Sequence, residues 1–211
     1  MWRDADDARA AVGAGWAAYR HRRGRQRGGP VLTLDGASRP RTPTLRTSRL
    51  DLVPLRVEDD DEMATVLADP RLYAFIGGDP PTLEDLHARY LRQVAGRSPD
   101  GTQTWHNWIV RRSEDHRAIG TVQATIDDAD GTVDIAWLIG TAWQGAGYGS
   151  EAARELVRWL RSQGLAAITA HIHPDNTRSA RVAARAGLHP SDAFERGERI
   201  WRWSARPGPI S

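Results

Sequence analysis

The sequence predicts an α+β fold, a mixed and mostly antiparallel sheet with helices on its faces. Three observations predict it. Apolar runs between residues 105 and 139 are separated by short polar turns, the pattern of an antiparallel meander. Helical periodicity occurs in separate stretches before and after that meander. Only one of those helices, between the apolar runs at 132–139 and 166–172, is a crossover of the kind a parallel strand pair needs.

The elements follow in order. Leu50, Leu52 and Pro54–Leu55 suggest a first strand. A helix over Glu58–Ala68 carries Asp59, Asp60, Asp61 and Glu62 in its first turn, where the helix dipole favours negative charge. Thr82 is an N-cap candidate for a second helix, with Asp85 completing a capping box and Leu83, Leu86, Tyr90, Leu91 and Val94 as its apolar stripe. Trp105–Arg111, Ala118–Ile126 and Thr132–Ile139 read as three strands joined at Glu114-Asp115-His116 and at Asp127–Gly131. A helix over Ser150–Gln163 buries Ala152, Ala153, Leu156, Val157 and Leu160 and stops at Gly164. The strand Ala166–Ile172 comes next, then a helix from the Asn176 cap to Ala186, ended by Gly187. Phe194–Trp203 forms a closing hairpin turning at Arg196-Gly197-Glu198.

A chain of 211 residues is one domain, or one domain with a tail. We divide it into a basic, flexible N-terminal extension (1–43), a folded domain (44–205) and a C-terminal tail (206–211). Residues 1–49 hold 11 arginines against 4 acids, whereas the remainder is acidic, so the net charge of +2 conceals a basic tail on an acidic domain. The extension's Arg20, Arg22, Arg23, Arg25 and Arg27 could form a nucleic-acid patch. No aromatic is interleaved with them for base stacking, and a solvated extension is the preferred reading. Cysteine is absent, which excludes disulfides, thiolate metal sites and a cysteine nucleophile. No apolar run approaches the roughly 18–20 residues a bilayer span needs, and no secretory signal is visible, so a cytoplasmic protein without a membrane partner is expected.

The most informative stretch is Asp134–Ala152, an apolar strand, a glycine-rich turn and a helix start. That order leaves backbone amides unpaired at a helix N-terminus, a seat for an anion such as phosphate. Lysine is absent throughout, which rules out a P-loop. A dinucleotide fingerprint begun at Gly145 would need its third glycine where Ser150 stands, and the acid expected about 20 residues later is missing. What remains is Gln-x-x-Gly-x-Gly, as Gln144, Gly147 and Gly149.

That pattern resembles the acyl-CoA site of the Gcn5-related N-acetyltransferase (GNAT) superfamily, with a second family signature downstream at Asn176, Ser179, Gly187 and Leu188. The segment Asp134-Ile135-Ala136-Trp137-Leu138 is similar to the corresponding strand of the RimJ/RimL-like branch. The resemblance spans about residues 45–204 in element order. It implies the GNAT fold, a sheet of about six to seven strands splayed at the acyl-CoA strand, usually through a bulge. It also implies that the backbone of Trp137, Leu138 and Ile139 pairs with the pantetheine arm like an added strand. Gly145, Ala146, Gly147, Tyr148, Gly149 and Ser150 would cradle the pyrophosphate of acetyl-CoA, with Gln144 standing where many relatives have Arg. Asn176 and Ser179 would face the cofactor from the next helix. A homodimer is compatible with the family, and no metal is expected.

Acetyl transfer needs a deprotonated amine and stabilisation of the departing thiolate. Asp134, matching the branch's Glu, is the candidate base; the alternative is a salt bridge to a neighbouring Arg or simple rim exposure. Many relatives place a Tyr seven residues after the capping Asn, but here that position is Ala183. Ser179 is left to hydrogen-bond the sulfur, unless it is an ordinary helix serine. Tyr148 reads as packing beside the turn. His171 and His173 share a strand face and read as core or rim residues, with a proton relay through His173 or a zinc pair as the alternatives. Trp105 and Trp108, flanking Asn107, either line an acceptor pocket or pack the core. The acidic domain favours a cationic amine as acceptor. An acyl-CoA sensor with the same fold but no catalysis is the other reading.

Overall fold

The computed structural model describes residues 41–165 and 167–204. The mobile extension and the tail expected from the sequence therefore lie largely outside the described residues. Of the extension, Thr42 and Pro43 touch the domain: the Pro43 carbonyl accepts a hydrogen bond from Trp108 Nε1 at 2.7 Å, and Thr42 Oγ1 lies 3.0 Å from His106 Nδ1.

The chain runs β1 (Leu45–Arg46), β2 (Leu50–Pro54), α1 (Asp60–Val66), α2 (Leu83–Gln93), β3 (Gln103–Arg112), β4 (Ala118–Asp127), β5 (Val133–Ile139), α3 (Tyr148–Ser162), β6 (Ala167–Ile172), α4 (Thr177–Arg185), β7 (His189–Glu195) and β8 (Glu198–Ser204). The strands form one sheet in the order β1-β2-β3-β4-β5-β6-β8-β7, and only β5 and β6 are parallel. That is the mixed, mostly antiparallel α+β sheet expected. It has eight strands rather than six or seven, because β1 is a two-residue strand too short to leave a pattern in the sequence.

Helices cover both faces. On one, α3 and α4 press Ala152, Ala153, Leu156, Val157, Leu160 and Ala183 against Val122, Val133, Ile135 and Ile139. On the other, Met63, Leu86 and Tyr90 pack with Ile109, Ala118 and Leu138. Side chains alternate along a strand, so Asp134, Ala136 and Leu138 of β5 share this second face.

The capping box of α2 forms as expected: Thr82 Oγ1 accepts from the Asp85 amide and Asp85 accepts from the Thr82 amide. Its apolar stripe is narrower than expected. Leu86 and Tyr90 are buried, but Leu83 and Leu91 are 47% and 54% exposed. Leu91 is turned about 100° from Tyr90 around the helix axis, and Leu83 stands in the first turn. Trp108 is core, fully buried and edge-on to Trp159 at 5.3 Å. Among the described residues no helix is long and apolar enough to cross a membrane.

Candidate functional site

The sheet parts between β5 and β6. β5 pairs with β4 without interruption from Val133↔Ile126 to Ile139↔Gly120, and β6 pairs with β8 along its whole length. Between them only Val133↔Ile168 and Asp134↔Thr169 are in register. Each strand follows its long antiparallel partner, and beyond Asp134 the two separate. The bulge expected at this point is absent, since the β4–β5 register does not shift.

The gap is edged by backbone. The Thr132 carbonyl accepts from Asp127, and the Gly140 amide donates to Ile119. Both bonds lie on the β4 side, so even-numbered residues of β5 spend their backbone groups on β4. Ile135, Trp137 and Ile139 therefore turn theirs toward the gap. Leu138 directs its backbone to β4 and its side chain to the second face.

Past Ile139, a 3₁₀ turn at Thr141–Trp143 leads into the glycine-rich turn. Gly145 and Gly147 have φ of +86° and +85°, a left-handed conformation that glycine adopts without a Cβ penalty. Gly147 is the N-cap of α3 and no side chain caps the helix. The amides of Gly145, Ala146, Gly147, Tyr148, Gly149 and Ser150 have no hydrogen-bond partner among the described residues. Six free amides at a helix N-terminus make an anion seat.

A device that the sequence reading missed braces this turn. Glu151, buried in α3, accepts from Arg49 Nε and Nη2 at 2.8 and 2.6 Å and from Thr47 Oγ1 at 2.6 Å. Arg49 Nη1 also donates to the Ala146 carbonyl at 3.2 Å, and its guanidinium lies 4.7 Å from the centre of the Tyr148 ring. Burial pushes the Glu151 carboxyl up, but the Thr47 hydroxyl and the Arg49 guanidinium outweigh it and hold it below the usual carboxylate range. Tyr148 thus packs beside the turn. The only advance signal was an acid in the first turn of α3.

α4 approaches from the other side. Asn176 Oδ1 accepts from the Ser179 amide at 3.1 Å and caps the helix. The Ser179 hydroxyl is half-buried and has no partner among the described residues. Ala183 is fully buried in the core, so that position offers no hydroxyl. Gln144 joins the two sides: its Nε2 donates to the Ile139 carbonyl at 2.9 Å, and its Oε1 accepts from Arg178 Nη1 at 3.0 Å. The charge that Gln144 lacks is thereby supplied beside it by Arg178.

At the apex of the gap, Asp134 accepts from the Thr169 hydroxyl, and His171 Nε2 lies 3.3 Å from its Oδ1. A histidine therefore stands beside the carboxylate, a neighbour the sequence reading had not weighed for it. His171 is nearly buried, its Nδ1 lies 4.0 Å from Glu195, and that nitrogen has no hydrogen-bond partner. His173 turns away instead, accepting from the Asp175 amide at its Nδ1 and lying 5.4 Å from the Phe75 ring. Of the two histidines weighed in the sequence, His171 is thus the one beside Asp134. Among the described residues no group of three His, Cys, Asp or Glu could hold a metal ion.

The acidic run at the start of α1 and its N-cap is largely paired: Asp59 and Glu62 with Arg111, Asp60 with His87. Asp128 pairs with Arg97.

Comparison with known proteins agrees with this geometry. The family model described as "Acetyltransferase (GNAT) domain" matches residues 49–189. An uncharacterized N-acetyltransferase, p20, of Bacillus licheniformis is 28% identical over 141 residues, 66% of this chain and 78% of the relative. Among solved structures, a GNAT-family acetyltransferase from Bacillus anthracis superposes with a TM-score of 0.64 at 19% identity, covering 77% of this chain and 98% of that one. The RimL ribosomal L7/L12 α-N-protein acetyltransferase in complex with coenzyme A superposes with a TM-score of 0.64 at 13% identity, with the same coverage.

Proposed function

The chain belongs to the GNAT acetyltransferase family, and from that premise we propose that it transfers the acetyl group of acetyl-CoA to a primary amine by direct attack in a ternary complex. The observation that carries this reading is the parting of β5 from β6, which begins at Asp134 and opens toward the free amides of residues 145–150. From Asp134 to Ile139 the strand rises roughly 17 Å, a length an extended pantetheine arm can line.

The residues fit the group. The free amides and Arg178 take the pyrophosphate, and Gly147 and Gly149 keep side chains out of its way. The gap-facing backbone of Ile135 and Trp137 pairs with the arm as an added strand would. Acetyl-CoA supplies the activated thioester. Asp134 takes the proton from the attacking amine, directly or through one water, while His171 and Thr169 hold its carboxylate in place. As the amine nitrogen bonds to the carbonyl carbon, the carbon–sulfur bond breaks and the sulfur leaves as the thiolate. The Ser179 hydroxyl hydrogen-bonds it, and it takes a proton from solvent to become the thiol, while Asp134 returns its own proton to solvent. The chain has no cysteine to carry the acetyl group between two half-reactions.

Thiol release from acetyl-CoA with a panel of primary amines tests the proposal. Acetylated amine and free thiol should appear in equal amounts, and Gly147→Trp should lose acetyl-CoA binding by calorimetry. One observation favours a second reading, a non-catalytic acyl-CoA sensor: the buried Ala183 leaves the leaving group without a phenol donor. Acetyl-CoA binding without thiol release for any amine would select it.

A further inference from the structure

On the face of the sheet that carries Asp134, α2 and the turn at Pro70–Tyr73 roof a cavity of about 30 Å³. Leu138 and Gln123 lie in its floor, and Arg89, Tyr90, Gln93 and Asn107 line it.

Its polar groups are incompletely used. Tyr90 is 2% exposed and its hydroxyl is buried without a partner. Gln93 donates from Nε2 to Asn107 Oδ1 at 3.3 Å, but its own Oε1 is buried and unbonded. Arg89 is half-buried, with no hydrogen bond and no ion pair among the described residues; burial pulls its guanidinium pKa down. Buried polar groups are nearly always bonded, so two orphaned groups and an unpaired guanidinium around one cavity point to a ligand there. No neighbouring acid forms an ion pair with Arg89: Asp59 is held by Arg111, Asp60 by His87 and Asp85 by the α2 cap, from which Asp85 acts on the guanidinium only through its charge.

We infer that this cavity is the seat for a carboxylate of the acceptor: the Arg89 fork and the Tyr90 hydroxyl donate to its oxygens, and Gln93 Oε1 accepts an N–H of the same molecule. The inference rests on the proposed acetyl transfer and narrows its acceptor. The cavity is small, about 30 Å³, which favours a planar carboxylate over a bulkier tetrahedral anion, and a guanidinium fork matches a carboxylate bidentately.

Position selects the rest. Gln123 pairs with Ala136, and Thr125 with Asp134, on adjacent strands of the same face. The floor residues Gln123 and Leu138 are therefore offset from the base by two and four strand residues, about 7 and 13 Å along the strands. An α-amine is too close to its own carboxylate to bridge that offset. An amine several bonds away fits, and an intervening amide N–H would meet Gln93. A small dipeptide-like acceptor and a protein N-terminus followed by an acidic side chain share this chemistry.

The test compares kcat/KM for glycylglycine, glycylglycinamide and glycyl-aminomethylphosphonate, and for a peptide amide beginning Gly-Asp, at saturating acetyl-CoA. The carboxylate should be preferred over the amide and the phosphonate by about a hundred-fold. Glycylglycine or the peptide as the better substrate identifies the source of the carboxylate. Arg89→Gln should bring the preference over the amide near one, acting on KM more than kcat, and Arg89→Lys should keep part of it. Acetyl-CoA affinity of each variant verifies its fold. Equal use of acid and amide by the wild type, or a preference that survives Arg89→Gln, overturns the inference. If no amine is acetylated, the proposed activity fails, and calorimetry decides the seat separately: glycylglycine binding lost in Arg89→Gln supports it, and no binding to the wild type overturns it.

Discussion

At the scale of single residues, His106 and Asp134 are polar groups in an apolar sheet with opposite surroundings. Asp134 sits where the strands part, with a hydroxyl and an imidazole as partners. His106 is sealed among Trp108, Trp159 and Thr42, and burial pulls its imidazole down to about 4. The unfolded chain protonates this residue near the ordinary histidine value, whereas the fold resists until about pH 4. Stability from keeping it neutral is therefore full above about pH 6.5 and is lost as pH falls toward 4, by about 3 kcal/mol in all. Denaturant unfolding between those pH values should show this loss in the wild type and a shallower slope in His106→Phe. An equally steep slope in the variant would exclude His106 as the source. His106 gave no advance signal, because its tryptophan neighbours come from its own strand and from α3, 53 residues later. The choice between His171 and His173 was equally hidden: alternation alone would put them on one side, and only the folded chain ends β6 at Ile172 with His171 beside Asp134.

Among elements, the junction between the β1–β2 turn and α3 carries most of the local order at the anion seat. The helix itself was legible, since its five buried apolar residues repeat at helical spacing and Gly164 ends it. What fixes its N-terminus was not, because Arg49 and Glu151 are 102 residues apart in the chain. Removing the carboxylate leaves a half-exposed guanidinium that water can partly satisfy, so the cost falls below the 3–5 kcal/mol of a fully buried pair. Glu151→Ala should lose about 2 kcal/mol of stability in urea, at the low end for a charged hydrogen-bond network. It should also weaken acetyl-CoA binding, because Arg49 would no longer hold the Ala146 carbonyl. Calorimetry with unchanged affinity would separate the brace from the seat. In α2, by contrast, the capping box was legible from Thr82 and Asp85 alone, but Arg89 and Tyr90 read only as positions on an amphipathic helix. Their unpaired groups emerge when the helix is laid on β3, β4 and β5.

For the whole molecule, alternation and turn residues announced the meander, and the single crossover announced the single parallel pair. The gap was legible only through family resemblance. No residue pattern states that β6 keeps step with β8 while β5 keeps step with β4, since strand pairing over such separations is decided by the assembled sheet. That mismatch makes the site: one sheet, pulled by two antiparallel partners, opens along β5 and leaves Asp134 at the closed end. The measurement that tests this account most directly is turnover of Asp134→Asn with acetyl-CoA and an accepted amine, beside its acetyl-CoA affinity. Loss of a positioned base costs about 10²–10⁴-fold, so kcat should fall at least about a hundred-fold while affinity stays at the wild-type value. Wild-type turnover in Asp134→Asn would contradict it.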